Sequence, residues 1–393
     1  MQCDYHDRGL CRSCTLIDQP YALQLAQKTA GVRELLAGRG ADTRELEWLE
    51  PVPSAEAGFR NKAKMVVAGS AGRPTLGILD PRGRGIDLRH CPLYPISVAR
   101  ALESVARFTG ELRLLPYDVP KGRGELKHIL LTVSPDDELM LRFVLRSDRQ
   151  LPRIRENLGR LQDELPGLRV VSANFQPEHK AVLEGSDEVM LTEQDSLLMR
   201  VNDIPLRLRT RSFFQTNTRV AAALYRRAAV WADRISPSRV LDLYCGVGGF
   251  ALHLSAPDRR VLGVEVSRGA VAAARQAAAD LGLAGRGPGS ARFEVGDATA
   301  WDAPLGGAPD GGDRPVEAAD LVVVNPPRRG LGAELSARLE RSEARDLIYS
   351  SCNARSLARD LAAMPSWRAV EGQVLDMFPH TGHYEVAMRL ERR

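Results

Sequence analysis

The chain has 393 residues, more than one typical domain core, so two domains are expected. Its apolar fraction of 44% suits a globular protein, and no apolar run approaches the roughly 18 residues a membrane helix needs, which excludes helical membrane proteins. The net charge of +4 is only mildly basic, and 48 of the 54 basic residues are Arg. That bias suits phosphate contacts but follows equally from a GC-rich genome, so charge alone does not identify a nucleic-acid binder.

The opening stretch, MQCDYHDRGLCRSC, carries charges and cysteines where a signal peptide would be apolar, so a cytoplasmic location with no membrane partner is expected. Six cysteines stand at Cys3, Cys11, Cys14, Cys91, Cys245 and Cys352. In a long chain without an export signal this spacing is not a disulfide framework.

Through the first half, FRNKAKMVVAG (59–69), PTLGILD (74–80), HILLTVS (128–134) and LMLRFVLR (139–146) read as antiparallel strands, with helical stretches near 94–108 and 150–164. The boundary falls near 205–212, giving an α+β domain over 1–205 and a second domain over 206–393. The second domain alternates strand and helix. RVLDLY (239–244) is followed by a glycine loop, RVLGVEV (260–266) by an Ala-rich helix over 267–281, and then come ARFEV (291–295), DLVVVN (320–325), DLIYSS (346–351) and YEVAMRL (384–390). That alternation predicts a doubly wound, mostly parallel α/β sheet with ligands at the carboxyl ends of its strands. Gly/Pro-rich stretches within 284–318 read as surface loops.

The loop in VLDLYCGVGGF begins with Asp242, and its pattern is D-x-x-C-G-x-G-G rather than G-x-G-x-x-G. A carboxylate there disfavours a pyrophosphate and suits the cationic methyl donor S-adenosylmethionine. Glu265, about 20 residues on, can accept bonds from both ribose hydroxyls, and Asp297 can face the adenine; both could equally be helix caps.

DLVVVNPPRRG places Asn325 at a strand tip before two stiffening prolines. Amino-group methyltransferases follow N-P-P with an aromatic, whereas Arg328 follows here. The next tip, in LIYSSCN (347–353), presents Cys352 ahead of a helix, where the dipole should lower the thiol pKa. A thiolate beside a methyl donor suggests methylation of uracil at C5, because sulfur addition at C6 turns C5 into a nucleophile. A base must then remove the C5 proton, and HTGHYEV (380–386) supplies His380, His383 and Glu385. Cys352 could instead be a packed side chain, and Glu385 an arginine partner; Cys245, inside the glycine loop, reads as packing.

Together, MQCDYHDRGLCRSC, FRNKAKMVV, CPLYP, RGELK, LRFVLRSD, RSFFQTN, DLYCGVGGF, VNPPRRG, IYSSCNA and DMFPHTGHYEV resemble the TrmA-type family of RNA uracil-C5 methyltransferases nearly end to end. The resemblance implies a Rossmann-like class I methyltransferase domain behind an iron–sulfur, RNA-binding domain. It implies Cys352 as nucleophile and Glu385 as base. Gln215, Tyr244 and Glu265 would contact S-adenosylmethionine, with Asn325 closing the site. Tyr244 stands where relatives often carry Phe, and Gly249 where some sister subfamilies carry Asn. It also implies that Cys3, Cys11, Cys14 and Cys91 hold a [4Fe-4S] cluster, although four thiolates by themselves equally permit structural zinc.

The family points to an RNA hairpin loop whose uridine is flipped into the pocket. The four-cysteine set disfavours the transfer-RNA branch and the lack of a barrel ahead of it disfavours a sister enzyme that carries one, so 23S ribosomal RNA is the expected substrate, with another 23S site or transfer RNA as the alternative. Basic residues in FRNKAK and KGRGELK are candidate phosphate contacts or simply solvated charges. A monomer with no DNA partner is expected. Two other classes stay open: an iron–sulfur RNA-binding protein without catalysis, and an iron–sulfur oxidoreductase using a dinucleotide, which the carboxylate-led loop disfavours.

Overall fold

The computed structural model describes residues 1–38, 45–300 and 318–393. It divides into two compact units: Met1–Cys14 with Ala55–Arg200, and Thr15–Ser54 with Val201–Arg393. The second unit thus includes a stretch that precedes Cys91 in the chain. No described helix is long and apolar enough to cross a membrane.

In the first unit, seven strands pair in the order Gly85–Asp87, Arg73–Leu79, Lys62–Ser70, Leu126–Val133, Leu139–Leu145, Leu168–Phe175 and Asp187–Met190. All four strands read from the sequence are present and antiparallel to one another. One pair departs from that pattern: Leu139–Leu145 runs parallel to Leu168–Phe175, because helix Leu151–Glu164 provides the crossover a parallel pair needs. Alternate residues such as Ala63, Met65, Ile129, Leu131, Leu141 and Phe143 form one buried cluster with Val98, Leu102 and Val105 of helix Ile96–Glu111. The period-2 apolar pattern is therefore one sheet face sealed by helices.

In the second unit, eight strands follow the order Glu47–Trp48, Trp367–Leu375, Glu385–Arg392, Asp346–Ser351, Leu321–Val324, Arg239–Leu243, Arg260–Glu265 and Ser290–Val295. Strands from Asp346–Ser351 to Ser290–Val295 are parallel, and Glu385–Arg392 inserts antiparallel between two neighbours. This is the mostly parallel α/β sheet expected. The order turns back on itself at Arg239–Leu243, so a crevice opens past the carboxyl ends of that strand and Leu321–Val324.

Helices start where side chains satisfy their free amides. Asn217 Oδ1 accepts from Val220 N–H at 3.3 Å, Ser267 Oγ from Ala270 N–H at 3.3 Å, and Asn353 Oδ1 from Arg355 N–H at 3.1 Å. The third cap fixes the chain immediately after Cys352.

Candidate active site

The crevice holds a cavity of about 760 Å³, within the range of small-molecule sites. Cys352, Glu385, Gln215, Tyr244, Glu265 and Asn325 all line it, as do Asp297 and His383. Residues separated by up to 170 positions in sequence thus meet at one end of the sheet. Pocket-lining Phe213, Arg328, Arg329 and Phe378 were not assigned roles from sequence, although each lies inside a quoted motif.

The glycine loop turns sharply from its strand. Tyr244, Gly246 and Gly248 have φ of +64°, +56° and +87°, the left-handed region that glycine tolerates and tyrosine enters at a cost. Glu265 braces this turn: Oε2 accepts from Gly246 N–H at 3.2 Å and Oε1 from Ser267 N–H at 2.9 Å. Asp297 Oδ1 accepts from the Thr299 amide and hydroxyl, each at 2.8 Å, and these bonds hold its carboxyl below the usual range.

Asp242 and the Cys352 thiol both differ from expectation. Asp242 does not face the ligand: it is fully buried beneath the loop, where its Oδ2 accepts from Ala251 N–H at 2.9 Å. Burial pushes its pKa to about 8, so it supports the loop in a largely protonated state. The Cys352 thiol is not lowered by its helix. Its pKa is raised above 9, first by burial and then by the Glu385 carboxylate, which together outweigh a backbone hydrogen bond and the Arg328 charge.

Glu385 begins the antiparallel strand that runs beside the Cys352 strand, with Ser351 opposite Val386. Its side chain is only 2% exposed, and Ser350 Oγ donates to Oε1 at 2.5 Å. Burial raises its pKa to about 7 against the opposing effect of that bond. The pair of serines before the cysteine is thereby explained. Ser350 points inward to hold the base, while Ser351 Oγ accepts from Asn353 N–H at 3.2 Å and shapes the turn carrying the sulfur.

The NPP loop is tied to the same turn: Asn353 Nδ2–H and Ser356 Oγ–H both donate to the Arg328 carbonyl, at 3.0 and 3.3 Å. The guanidinium of Arg328 is thereby brought into the cavity with Cys352. His380 is fully buried with φ +64° and does not line the cavity, whereas His383 does, its pKa lowered chiefly by burial. Cys245 is buried on the sheet side of the loop, and a Cβ at Gly263 would come within 2.9 Å of its sulfur. At Gly249 a Cβ would come within 2.5 Å of the Tyr225 hydroxyl, which is why this position carries no side chain. Residues 301–317, about half of the 284–318 region, lie outside the described residues.

The first unit holds a second thiol site. Cys3, Cys11, Cys14 and Cys91 line one cavity of about 150 Å³ together with Tyr5, His6, Arg60 and Lys64. All four are free thiols. Burial pushes Cys14 and Cys91 up to about 11, and the neighbouring cysteines push in the same direction. Among the described residues, no group of three or more His, Cys, Asp or Glu side chains is drawn together to hold a metal ion.

An open sheet of this order, with a glycine turn, an acid on the next strand and a cavity at the switch point, defines an α/β methyltransferase. The tRNA (uracil-5-)-methyltransferase family model matches residues 179–283 and 317–393. A 23S rRNA (uracil(747)-C(5))-methyltransferase RlmC from Halothiobacillus neapolitanus is 48% identical, and one from Escherichia coli O127:H6 is 46% identical, each alignment covering 100% of both chains. The crystal structure of a Pyrococcus abyssi tRNA (uracil-54, C5)-methyltransferase with S-adenosyl-L-homocysteine superposes with a TM-score of 0.76 at 24% identity, covering 96% of this chain and 85% of that one. The chain belongs to the uracil-5-methyltransferase family.

Proposed function

We propose that this chain is an S-adenosylmethionine-dependent methyltransferase acting on C5 of a uridine in 23S ribosomal RNA. The uridine is the one at position 747 named for its relatives, presented in a hairpin loop to a cytoplasmic, monomeric enzyme. The observation that carries the reading is a half-buried cysteine thiol and a buried carboxyl near neutrality in one cavity with Glu265 of the glycine turn.

In this reading the flipped uracil enters beside Cys352, the thiol passes its proton to water, and its sulfur bonds to C6 as the C5–C6 double bond opens. Negative charge moves onto C5 and the O4 oxygen, with Arg328 the nearby cation. C5 takes the methyl group of S-adenosylmethionine as the sulfonium–carbon bond breaks, leaving S-adenosylhomocysteine. Glu385, ionised, accepts the C5 proton, and the returning electron pair expels the Cys352 thiolate and restores the C5–C6 double bond. Gln215, Tyr244, Glu265 and Asn325 orient the donor. Phosphate contacts from the FRNKAK and KGRGELK segments hold the RNA.

Cys3, Cys11, Cys14 and Cys91 would hold a [4Fe-4S] cluster as a structural staple. The donor set fits: four partly exposed thiols lining one cavity suit a ligand that offers one iron to each sulfur. A structural zinc is the alternative that the same four thiolates permit, and the family resemblance is what favours iron.

The test is covalent trapping with RNA containing 5-fluorouridine, whose C5 fluorine no base can remove as a proton. The parent protein should form a stable adduct and Cys352→Ala none, while Glu385→Gln should accumulate the methylated adduct on ordinary RNA. Adduct formation by Cys352→Ala would assign the chemistry to another sulfur.

A further inference from the structure

One buried cation of the second unit has no part in that chemistry. Lys28, on helix Tyr21–Ala37, is 6% exposed, and its Nζ donates to Asp376 Oδ1 at 2.7 Å and to the Phe378 carbonyl at 3.1 Å. Asp376 is fully buried, and its Oδ2 has no hydrogen-bond partner among the described residues. Lys28 therefore supplies its countercharge.

Asp376 opens the loop between strands Trp367–Leu375 and Glu385–Arg392. That loop places Phe378 and His383 in the cavity and delivers Glu385 at its end. The same N-terminal stretch grips it at further points. Gln24 Oε1 accepts from His380 N–H at 2.9 Å, Leu16 N–H donates to the His380 carbonyl at 2.9 Å, and Asn217 Nδ2 joins Ser54 Oγ at 2.7 Å to the Met377 carbonyl at 3.4 Å. Lys28 also acts on the pocket electrically: after burial and Arg328, its charge contributes to lowering the His383 pKa.

A buried ion pair adds little stability over an apolar pair of equal volume, so its chief physical effect is directional. Here it fixes where the loop carrying Phe378 and His383 departs from the sheet. We propose that Lys28 is a positioning residue for removal of the C5 proton, acting through Asp376 and the loop that leads to Glu385. The inference rests on the reading of Cys352 as nucleophile and Glu385 as base.

The experiment compares the parent protein with Lys28→Met/Asp376→Leu, which removes both charges and leaves neither partner unpaired. Three quantities are read: melting temperature, S-adenosylmethionine affinity, and the fraction of enzyme covalently bound to ordinary uridine RNA in a single turnover. A displacement near 1 Å costs roughly 100-fold in a positioned step. The expected result is therefore a proton-removal step slowed roughly 10- to 100-fold and a methylated covalent species that accumulates. Donor affinity should stay within about threefold of the parent value.

Unchanged turnover, or a loss of turnover with no covalent accumulation, overturns the proposal. Should the double variant not fold, Lys28→Arg keeps the charge with a different reach. It should then show the same accumulation to a smaller degree, and parent-like partitioning in that variant also overturns the proposal. Failure of the parent protein to form any adduct with 5-fluorouridine RNA would instead remove the underlying reading of the site.

Discussion

The two units each bury sulfur, and they do so to opposite ends. In the first, four thiols share one small cavity, and burial with mutual repulsion holds Cys14 and Cys91 near 11. Such a group gains by binding cations, which remove the protons and the repulsion together. In the second, a single half-buried sulfur faces a buried carboxyl and an arginine across a cavity of about 760 Å³. That sulfur has no second thiol to share a metal, and its neighbours supply the acid–base partner and charge that covalent chemistry needs. Number and neighbours, not the thiol pKa alone, separate the proposed ligands from the proposed nucleophile.

The sharpest way to break this contrast is a paired substitution. Cys352→Ala should abolish methyl transfer, at least 10³-fold, while leaving iron content and melting temperature at parent values. Cys14→Ala should do the reverse: protein purified without oxygen should lack the roughly four irons per chain of the proposed cluster and melt lower. Iron analysis and thermal melting read both arms. Loss of iron in Cys352→Ala, or full iron in Cys14→Ala, would erase the distinction between the two sites.

The next effect concerns the base. Glu385→Gln should lower turnover by roughly 10²- to 10⁴-fold. It should also stabilise the fold at alkaline pH. A carboxyl whose pKa rises from 4.5 to about 7 on folding prefers its neutral form in the native state. The penalty for ionising it is absent below pH 4.5, grows between 4.5 and 7, and is complete above 7. At about 1.4 kcal/mol for each pH unit, it reaches about 3 kcal/mol. Denaturant unfolding should find the variant more stable than the parent at pH 8 and nearly equal to it at pH 4.5. Equal stability at both would mean that Glu385 is not held near neutrality.

Much of this contrast is legible in the sequence, and the parts that are not share a cause. Every C-terminal strand read from an apolar run is present, because a buried parallel strand must be continuously apolar. Strand Trp367–Leu375 escaped because its polar residues Glu371 and Gln373 are buried through distant partners, Trp231 and Arg227. The six residues given catalytic and donor-binding roles lie together in one cavity, since motifs at strand tips are brought together by the sheet itself. Environment was harder to read. The helix following Cys352 is visible in sequence, whereas the burial that outweighs it, helped by the charge of Glu385 33 positions away, is set by the tertiary fold. Lys28 was invisible for the same reason: Asp376 lies 348 residues on, and no local pattern marks a pair that distant.

A smaller effect sharpens the role of Ser350. Its hydroxyl donates to Glu385 and favours the ionised form, so Ser350→Ala should raise the base's pKa further. Parent activity should climb as pH rises through about 7, because only the ionised carboxyl can accept the C5 proton. In Ser350→Ala that rise should move up by about one pH unit, costing roughly fivefold at pH 7 and little at pH 9. Donor affinity should be unchanged, and Ser350→Thr should restore much of the original profile. A pH-independent loss would mean that the serine only fills space.

Cys245 provides the smallest effect and the control for both sites. It is the one cysteine outside the two groups, and burial raises its pKa well above the ordinary value. Its closest hydrogen-bond acceptor is the Gly246 carbonyl at 3.8 Å, and its sulfur packs toward Gly263. A thiol so placed is neutral, dry and out of reach of a base entering the cavity, so its contribution is that of a small apolar group. Cys245→Ala should cost about 1 kcal/mol of stability through the volume removed, with turnover within about twofold and iron content unchanged. Loss of adduct formation in this variant would mean that the glycine loop, not the strand tip at Cys352, carries the reactive sulfur.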